Sequence, residues 1–124
     1  MPETFIQLPF PPSVNALYAN MPGKGRVKSK KYKIWYEAAG WKLREQRPTR
    51  FKKLVHILIT FGPKPGPQRK WDMSNHVKAV EDLLVSHGII VDDCSKIIKR
   101  LTLTQEPDQD GILVHIFNAR EAPK

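Results

Sequence analysis

The alternation of apolar and polar residues along the chain predicts five strands. They are expected over residues 5–10, 53–61, 89–91, 96–104 and 112–117. Pro11 and Pro12 end the first strand, because proline has no backbone N–H to donate to a neighbouring strand. The last two strands flank a turn-rich segment over residues 107–111, which indicates a hairpin with a longer loop.

Apolar residues at helical spacing predict a first helix from the N-cap Ser29 to about Gln46. The apolar residues near one face of this helix are Tyr32, Trp35, Tyr36, Ala39 and Leu43. Aromatic side chains in such a stripe more often belong to a core than to a base-stacking surface, and the spacing is compatible with both.

A second helix is predicted over residues 72–88, with Asp72 as its N-cap and Gly88 directly after its last turn. Its apolar stripe consists of Met73, Val77, Val80 and Leu84. Another face carries Asn75, Lys78 and Asp82, at positions i, i+3 and i+7.

The length of this helix predicts which residues meet. At ~1.5 Å per helical residue and ~3.3 Å per extended residue, the helix is about 24 Å long and the following strand returns about 16 Å. We therefore expect Asp93 close to Lys78. Contact with Asp72 requires a bridging metal, a later helix start or a tilt of the strand.

The order of the elements indicates one α+β domain over residues 1–124, with a mixed sheet and two main helices. The longest nearly apolar run, residues 54–61, is too short to span a bilayer, and no signal peptide opens the chain, so no membrane partner is expected. The single cysteine excludes an internal disulfide and fits a reducing compartment. A cytoplasmic location is therefore expected.

Positive charge is concentrated in one part of the chain. Residues 24–70 hold fifteen lysines and arginines and two glutamates, a net charge of +13, whereas the remaining residues carry a net charge of −4. Such asymmetry indicates a surface that binds a polyanion, although basic residues also decorate ordinary solvated faces. The basic loop 62–70 either contacts DNA or merely connects two elements, and Trp71 after it either stacks on DNA or closes the core.

Acidic side chains are concentrated next to this basic segment. Asp72 and Asp82 lie on the second predicted helix and Asp92 and Asp93 follow the short strand, in a protein of net charge +9. Carboxylates beside a basic surface are typical of a magnesium-dependent enzyme that acts on nucleic acid. Separate explanations remain open, namely a helix cap, an acidic turn and a solvated lysine.

Two motifs resemble the RusA-like endodeoxyribonucleases, which resolve Holliday junctions. The first is Asp72-x-Ser74-Asn75-x-x-Lys78-Ala79-x-x-Asp82-x-Leu84, followed by a glycine, apolar residues and Asp92-Asp93. The second is the N-terminal run Leu8-Pro9-Phe10-Pro11-Pro12-Ser13-Val14-Asn15 with Tyr18, followed by Arg26-Val27-Lys28-Ser29 and Tyr32. The resemblance covers about residues 5–118.

The resemblance implies a RusA-like nuclease domain, an intertwined homodimer, a four-way DNA junction as substrate, and a bacterial or phage origin. Asp72 and Asp93 would hold Mg²⁺, or Mn²⁺ in its stead, with Asp92 or Ser74 assisting. Lys78 would be the catalytic lysine, Asn75 would position a water or a phosphate oxygen, and Asp82 would orient Lys78.

The family commonly has Asp-x-Asp-Asn where this chain has Ser74 in place of the second acid. A hydroxyl is a weaker magnesium ligand than a carboxylate, so the alternatives include a branched-DNA-binding protein with weak or no activity. A nuclease that acts on flaps is a third hypothesis. The expected DNA-binding residues are Asn15, Lys24, Arg26, Lys28, Lys30, Lys31, Lys64, Arg69, Lys70 and Trp71.

Overall fold

The computed structural model describes residues 2–67 and 70–119. Its elements are, in chain order, β1 (Glu3–Leu8), the 3₁₀ helix η1 (Val14–Ala16), β2 (Tyr18–Met21), β3 (Gly25–Lys28), α1 (Lys30–Glu45), β4 (Val55–Phe61), the 3₁₀ helix η2 (Met73–His76), α2 (Lys78–Ser86), β5 (Ile98–Gln105) and β6 (Ile112–Asn118). Four of the five predicted strands are confirmed, with ends shifted by two residues or fewer.

The main sheet has four strands in the order β1-β6-β4-β5. β6 pairs antiparallel with both β1 and β4, whereas β4 pairs parallel with β5. Two parallel neighbours need a crossover connection, and the segment that contains η2 and α2 provides it. The predicted α+β fold with a mixed sheet and two main helices is therefore confirmed.

Alternating burial along the strands directs one face of the sheet towards α1 and α2. Every second residue of β4 is buried, and the same alternation holds in β1 and β6. The helices contribute buried side chains to the same cluster, among them Tyr32, Leu43 and Leu83. Among the described residues, no helix is long and apolar enough to cross a membrane.

The start of α1 follows the prediction. Ser29 is the N-cap, and its hydroxyl oxygen accepts a hydrogen bond from the backbone N–H of Tyr32 at 3.1 Å. Tyr32 and Trp35 are buried, so these two aromatics belong to the core rather than to a base-stacking surface. The indole N–H of Trp35 donates to the carbonyl of Pro9 at 2.9 Å, which fixes the N-terminal segment against α1.

The second helix begins later than predicted. Residues 73–76 form the 3₁₀ helix η2, and α2 starts only at Lys78. Asp72 precedes η2, but its side chain makes no capping hydrogen bond. The tighter turn buries His76, whose Nδ1 lies 2.9 Å from the carbonyl oxygen of Pro11. A helix starting at Asp72 was therefore the wrong prediction, because a tertiary hydrogen bond stabilises a different turn.

The predicted strand over residues 89–91 is also wrong. Gly88 has φ +70° and its N–H bonds the carbonyl of Val85, while the N–H of Ile89 bonds that of Leu84. These two bonds form a Schellman motif, which confirms Gly88 as the residue after the C-cap. The carbonyl of Ile89 then accepts from Phe51, and the buried Ile90 fills the core instead of joining a sheet.

A hairpin lies within residues 13–28, where no strand was predicted. β2 and β3 pair antiparallel, and the N–H of Lys24 donates to the carbonyl of Met21 at 3.1 Å. Pro22 and Gly23, which has φ +76°, occupy the central positions of this turn, as expected for a type II turn. The Pro-Gly pair was the sequence signal for it.

Candidate active site

Lys78 lies between two carboxylates at the start of α2. Its Nζ is 3.1 Å from Oδ1 of Asp82, one helical turn further along, and 3.1 Å from Oδ2 of Asp93, which follows the helix. The side chain of Lys78 is half exposed, and both carboxylates are about one quarter exposed. The expected contact between Asp93 and Lys78 is confirmed, although the helix and strand used to predict it have different bounds.

The two carboxylates keep Lys78 charged. Hydrogen bonds to Asp82 and Asp93 raise the pKa of the Lys78 ammonium above its ordinary value, despite partial burial. The same contact with Lys78 lowers the pKa of the Asp93 carboxyl. Near neutral pH the site therefore contains a permanent cation beside an ionised carboxylate, and Lys78 is unsuited to act as a general base.

Tyr32 supports Asp82 from the core. The Tyr32 hydroxyl donates to Oδ2 of Asp82 over 3.5 Å, a long hydrogen bond, while Oδ1 faces Lys78. Burial, and then the charge of Asp82, raise the pKa of the Tyr32 phenol, so the hydroxyl remains a neutral donor. Asp82 thus contacts Lys78 and Tyr32 at the same time, and its role in orienting Lys78 stays a prediction.

Asp92 and Asp93 occupy an irregular segment after the Schellman motif. Oδ1 of Asp92 accepts the backbone N–H of Asp93 at 2.8 Å, which orders the turn. This short local bond leaves Asp93 directed at Lys78 and Asp92 exposed. The acidic pair thus combines an acidic turn with a site residue, two readings that the sequence had left as alternatives.

Asp72, Ser74 and Asn75, the other predicted site residues, lie at and just after the start of η2, before Lys78 in the chain. Nδ2 of Asn75 donates to Oδ2 of Asp72 at 3.5 Å, and the backbone N–H of Asn75 bonds the carbonyl of Asp72. Asp72 and Ser74 are exposed. Within residues 2–67 and 70–119, no group of three or more His, Cys, Asp or Glu side chains is arranged as a metal site.

Glu81 is a further acid of the site that sequence reasoning missed. It lies three residues after Lys78 on α2 and is half-buried. Burial, followed by the nearby Asp93 carboxylate, raises the pKa of its carboxyl, and Lys78 opposes this shift. The i, i+3 spacing from Lys78 was the available signal.

No role was predicted for His76, but in the structure it holds the N-terminal motif against η2. Its buried ring contacts Phe10 and Trp71 edge-on, with centroid separations of 5.2 and 5.5 Å. Together with the bond to Pro11, these contacts join the N-terminal motif to η2. The ring centres of Trp71 and Phe61 are 5.8 Å apart, which agrees with the alternative that Trp71 closes the core. Contact of Trp71 with DNA stays a prediction.

Basic residues of the β2–β3 hairpin extend beside α1. Arg26 lies over the ring of Tyr18 at 4.6 Å, and Nζ of Lys28 is 4.1 Å from the ring centre of Tyr36. Lys24 is exposed at the hairpin turn. These cation–π contacts hold the basic side chains on aromatic rings while the hairpin itself stays exposed.

The remaining predicted DNA-binding residues lie in several separate segments of the chain. Lys31 and Lys64 line one cavity of about 170 Å³ together with His76. Lys30 and Lys70 are exposed, and so is Asn15 in η1. Arg69 lies outside the described residues.

A comparison with protein-family models matches residues 9–116 to endodeoxyribonuclease RusA. The chain belongs to the RusA endodeoxyribonuclease family. RusA enzymes are phage and bacterial endonucleases that act on branched DNA junctions in recombination. The matched RusA region includes the N-terminal motif from Pro9 onward and the Lys78 site. No curated protein matches the chain.

Proposed function

We propose that the protein is a metal-dependent endodeoxyribonuclease that resolves four-way DNA junctions by hydrolysing phosphodiester bonds. The observation that carries this proposal is the position of Lys78 between Asp82 and Asp93, inside a RusA domain. A fixed cation next to ionised carboxylates combines the two charges that such a reaction needs. The cation attracts the phosphate, and the carboxylates supply hard oxygen ligands.

Lys78 would stabilise negative charge that develops on the phosphate in the transition state. Its ammonium remains protonated because Asp82 and Asp93 raise its pKa, so no proton has to move before it can act. Asp82, itself held by Tyr32, keeps Nζ in position from within the helix. Asn75 would orient a water or a phosphate oxygen next to Asp72.

The donor set fits Mg²⁺, with Mn²⁺ as the alternative. Asp72 and Asp93 would hold the ion, with Asp92 or Ser74 assisting. Mg²⁺ is usually bound by one or two carboxylates, its own waters and substrate phosphates, so a site without three clustered acids is consistent with it. When bound, the ion would polarise the phosphate and lower the pKa of an attacking water.

The alternative function is branched-DNA binding with weak or no cleavage. It is favoured by one observation, the exposed Ser74 hydroxyl where the family commonly has a carboxylate. Addition of Mg²⁺ to a labelled synthetic four-way junction separates the two functions, because only the nuclease produces nicked strands. A labelled flap in a parallel reaction tests whether another branched form is the better substrate.

The exposed hairpin and the first turn of α1 would bind the DNA backbone. Lys24, Arg26 and Lys28 extend from the hairpin, and Lys30 and Lys31 follow at the start of α1. Lysines and arginines that neutralise phosphates release counterions, so we expect binding to weaken steeply with salt. Salt-independent binding of the junction would contradict this surface.

A symmetric homodimer would supply the two sites that two cuts require. The sheet face opposite the helices offers an apolar surface for it, since Phe5 is 52% exposed and stacks on His115 at 4.1 Å. Ile89 and Ile90 are buried in the core, whereas Val91 after them is exposed, so of this apolar run only Val91 is free to contribute to an interface. Sedimentation at micromolar concentration should give a mass near twice 14.3 kDa, and a monomer that makes both cuts would contradict the paired sites.

The experiment that tests the proposal removes the two acids separately. Asp72→Asn and Asp93→Asn should each abolish junction cleavage but leave binding intact or tighter, because a negative charge near the phosphate is lost. Asp108→Asn is the matched control, since Asp108 is an exposed acid in the turn between β5 and β6. Near-normal cleavage by both site variants would refute the assignment.

A further inference from the structure

A second basic cavity lies at the C-terminal ends of α1 and α2. Its volume is about 330 Å³, and its polar lining residues are Arg44, Arg47, Arg50 and His87. The other lining residues that the structure describes are apolar. An adjoining cavity of about 220 Å³ shares Arg44 and His87 with it, but is also lined by Glu37 and by the exposed Trp41, so the charge is more mixed there. Positive charge is therefore gathered around a concave surface away from Lys78.

The arginines are held by specific contacts. Nη1 of Arg50 donates to the carbonyl of His87 at 2.6 Å, and a Cβ on Gly88 would come within 2.7 Å of that nitrogen. The guanidinium of Arg44 lies 4.8 Å from the ring centre of Trp41. Arg47 has φ +48°, the one positive value at a non-glycine position among the described residues. Arg47 directly follows the C-cap Gln46 of α1 and its N–H bonds the carbonyl of Arg44, so its left-handed backbone is the ordinary ending of a helix.

Helix capping accounts for the guanidinium contact of Arg50 and for the backbone of Arg47, but for no side-chain contact of Arg44 or Arg47. Arg50 satisfies the carbonyl at the C-cap of α2, as a basic residue at a helix end commonly does. Within residues 2–67 and 70–119, no salt bridge neutralises Arg44, Arg47 or Arg50. Burial, and then the charges of Arg44 and Arg50, also lower the pKa of His87. The cavity thus concentrates positive charge that a bound anion would balance.

We propose that the cavity formed by Arg44, Arg47 and Arg50 is a second phosphate-binding site, which holds the DNA backbone of one junction arm. Arginine guanidinium groups bind phosphate oxygens in pairs of hydrogen bonds, which suits a backbone running over the cavity. The inference rests on the proposed function, because it assumes that DNA is bound at Lys78.

The distance between the two sites fits one DNA strand. Lys78 and His87 are nine residues apart along α2, which is about 13 Å at ~1.5 Å per residue. DNA rises about 3.4 Å per nucleotide along one strand, so the cavity would meet the backbone about four nucleotides from the scissile phosphate. Tyr36 lies between the basic hairpin and the arginine cavity. Its ring centre is 4.1 Å from Nζ of Lys28 and 6.2 Å from the ring centre of His87.

Salt-dependent binding without cleavage tests the inference. Anisotropy of a labelled four-way junction is measured in EDTA, from about 50 to about 200 mM salt. Replacing Arg44→Gln and Arg47→Gln together removes two phosphate contacts, so the log–log slope should become shallower by about 1.8. Lys42→Gln is the matched control, because Lys42 is exposed in the same last turn of α1 but lines neither cavity. Its slope should change by less than half as much.

The charge-retaining variant separates phosphate binding from a structural role. Arg44→Lys with Arg47→Lys should restore most of the slope, since ammonium groups also release counterions. Gln variants with the wild-type slope, or Lys variants as defective as the Gln variants, would overturn the inference. Millimolar inorganic phosphate at constant ionic strength should reduce the difference between wild type and the Gln variants, because free phosphate competes with the DNA backbone for the cavity.

The outcomes for the two proposals are distinguishable. Suppose that binding of the wild-type protein to the junction weakens steeply with salt and that the protein cleaves the junction. If the arginine variants then have the wild-type slope, only the second phosphate site is refuted. If the slopes differ as expected and no cleavage occurs with Mg²⁺, only the nuclease function is refuted. If the wild-type protein does not bind the junction, both proposals are refuted.

Discussion

Replacing Lys78 by glutamine should reduce junction cleavage far more than it reduces stability. The lysine is half exposed, and its partners Asp82 and Asp93 are 27% and 28% exposed. Solvent-screened ion pairs of this kind typically contribute about 0–1 kcal/mol each, so the two together amount to less than about 2 kcal/mol. A domain with a typical stability of about 5–15 kcal/mol remains folded after such a loss.

The effect on the rate is expected to be larger. A preorganised donor that stabilises charge in the transition state typically contributes about 100- to 1,000-fold, or about 2.7–4 kcal/mol. Lys78→Gln should therefore lower the single-turnover cleavage rate by about two to three orders of magnitude, while the urea midpoint changes little. Because the lysine has no proton to give up at neutral pH, the remaining pH profile should keep its shape.

The assay is single-turnover cleavage of a labelled four-way junction with saturating Mg²⁺, alongside urea unfolding of the same preparations. Lys53→Gln, which removes an exposed lysine before β4, is the control and should retain wild-type cleavage. Combining Lys78→Gln with Asp82→Asn should recover stability without recovering activity, because it removes one unpaired carboxylate. A folded Lys78→Gln protein with nearly wild-type cleavage would refute the catalytic assignment of the lysine.

Three further predictions concern neighbouring residues. Ser74→Asp should lower the Mg²⁺ concentration for half-maximal cleavage, and an unchanged requirement would exclude Ser74 as a ligand. Burial lowers the pKa of His76, so its contribution to stability is complete above about pH 6.5 and is lost below it, by at most about 1.4 kcal/mol per pH unit. The free energy of unfolding in urea should show this loss as the pH falls, and the pH-dependent loss should be smaller in His76→Gln. Burial raises the pKa of the Glu81 carboxyl, so its ionisation at higher pH costs stability. Glu81→Gln should therefore raise the urea midpoint at pH 7. A lower midpoint would contradict this reasoning.

The local pattern determined most elements of the fold. The alternation in β4 and the Ser29 cap of α1 are decided by residues close in sequence, and the structure has both. Gly88 likewise marked the end of α2, because its positive φ is a local requirement of the Schellman motif. The Pro-Gly turn of the first hairpin was equally local but lay among exposed residues, where no apolar alternation revealed the strands.

Tertiary contacts decided the rest. Ile89 and Ile90 have strand-forming side chains, yet the N–H of Ile89 bonds Leu84 and its carbonyl accepts from Phe51, so the backbone there does not pair with a strand of the sheet. Likewise, His76 meets Pro11 across the fold, and this contact accompanies the 3₁₀ turn where a helix was predicted. No local pattern encodes such contacts, because they join residues far apart in the chain.

The candidate site divides in the same way. Lys78 and Asp82 are one turn apart on a helix, so their pairing follows from sequence spacing alone. The contact between Lys78 and Asp93 depends on how the chain returns after Gly88, and the support of Asp82 by Tyr32 spans fifty residues. The arginine cavity exists only because α1 and α2 end side by side. The sequence thus determined which charges are available, whereas packing decided which of them share a site, since electrostatic interactions depend on distances in space.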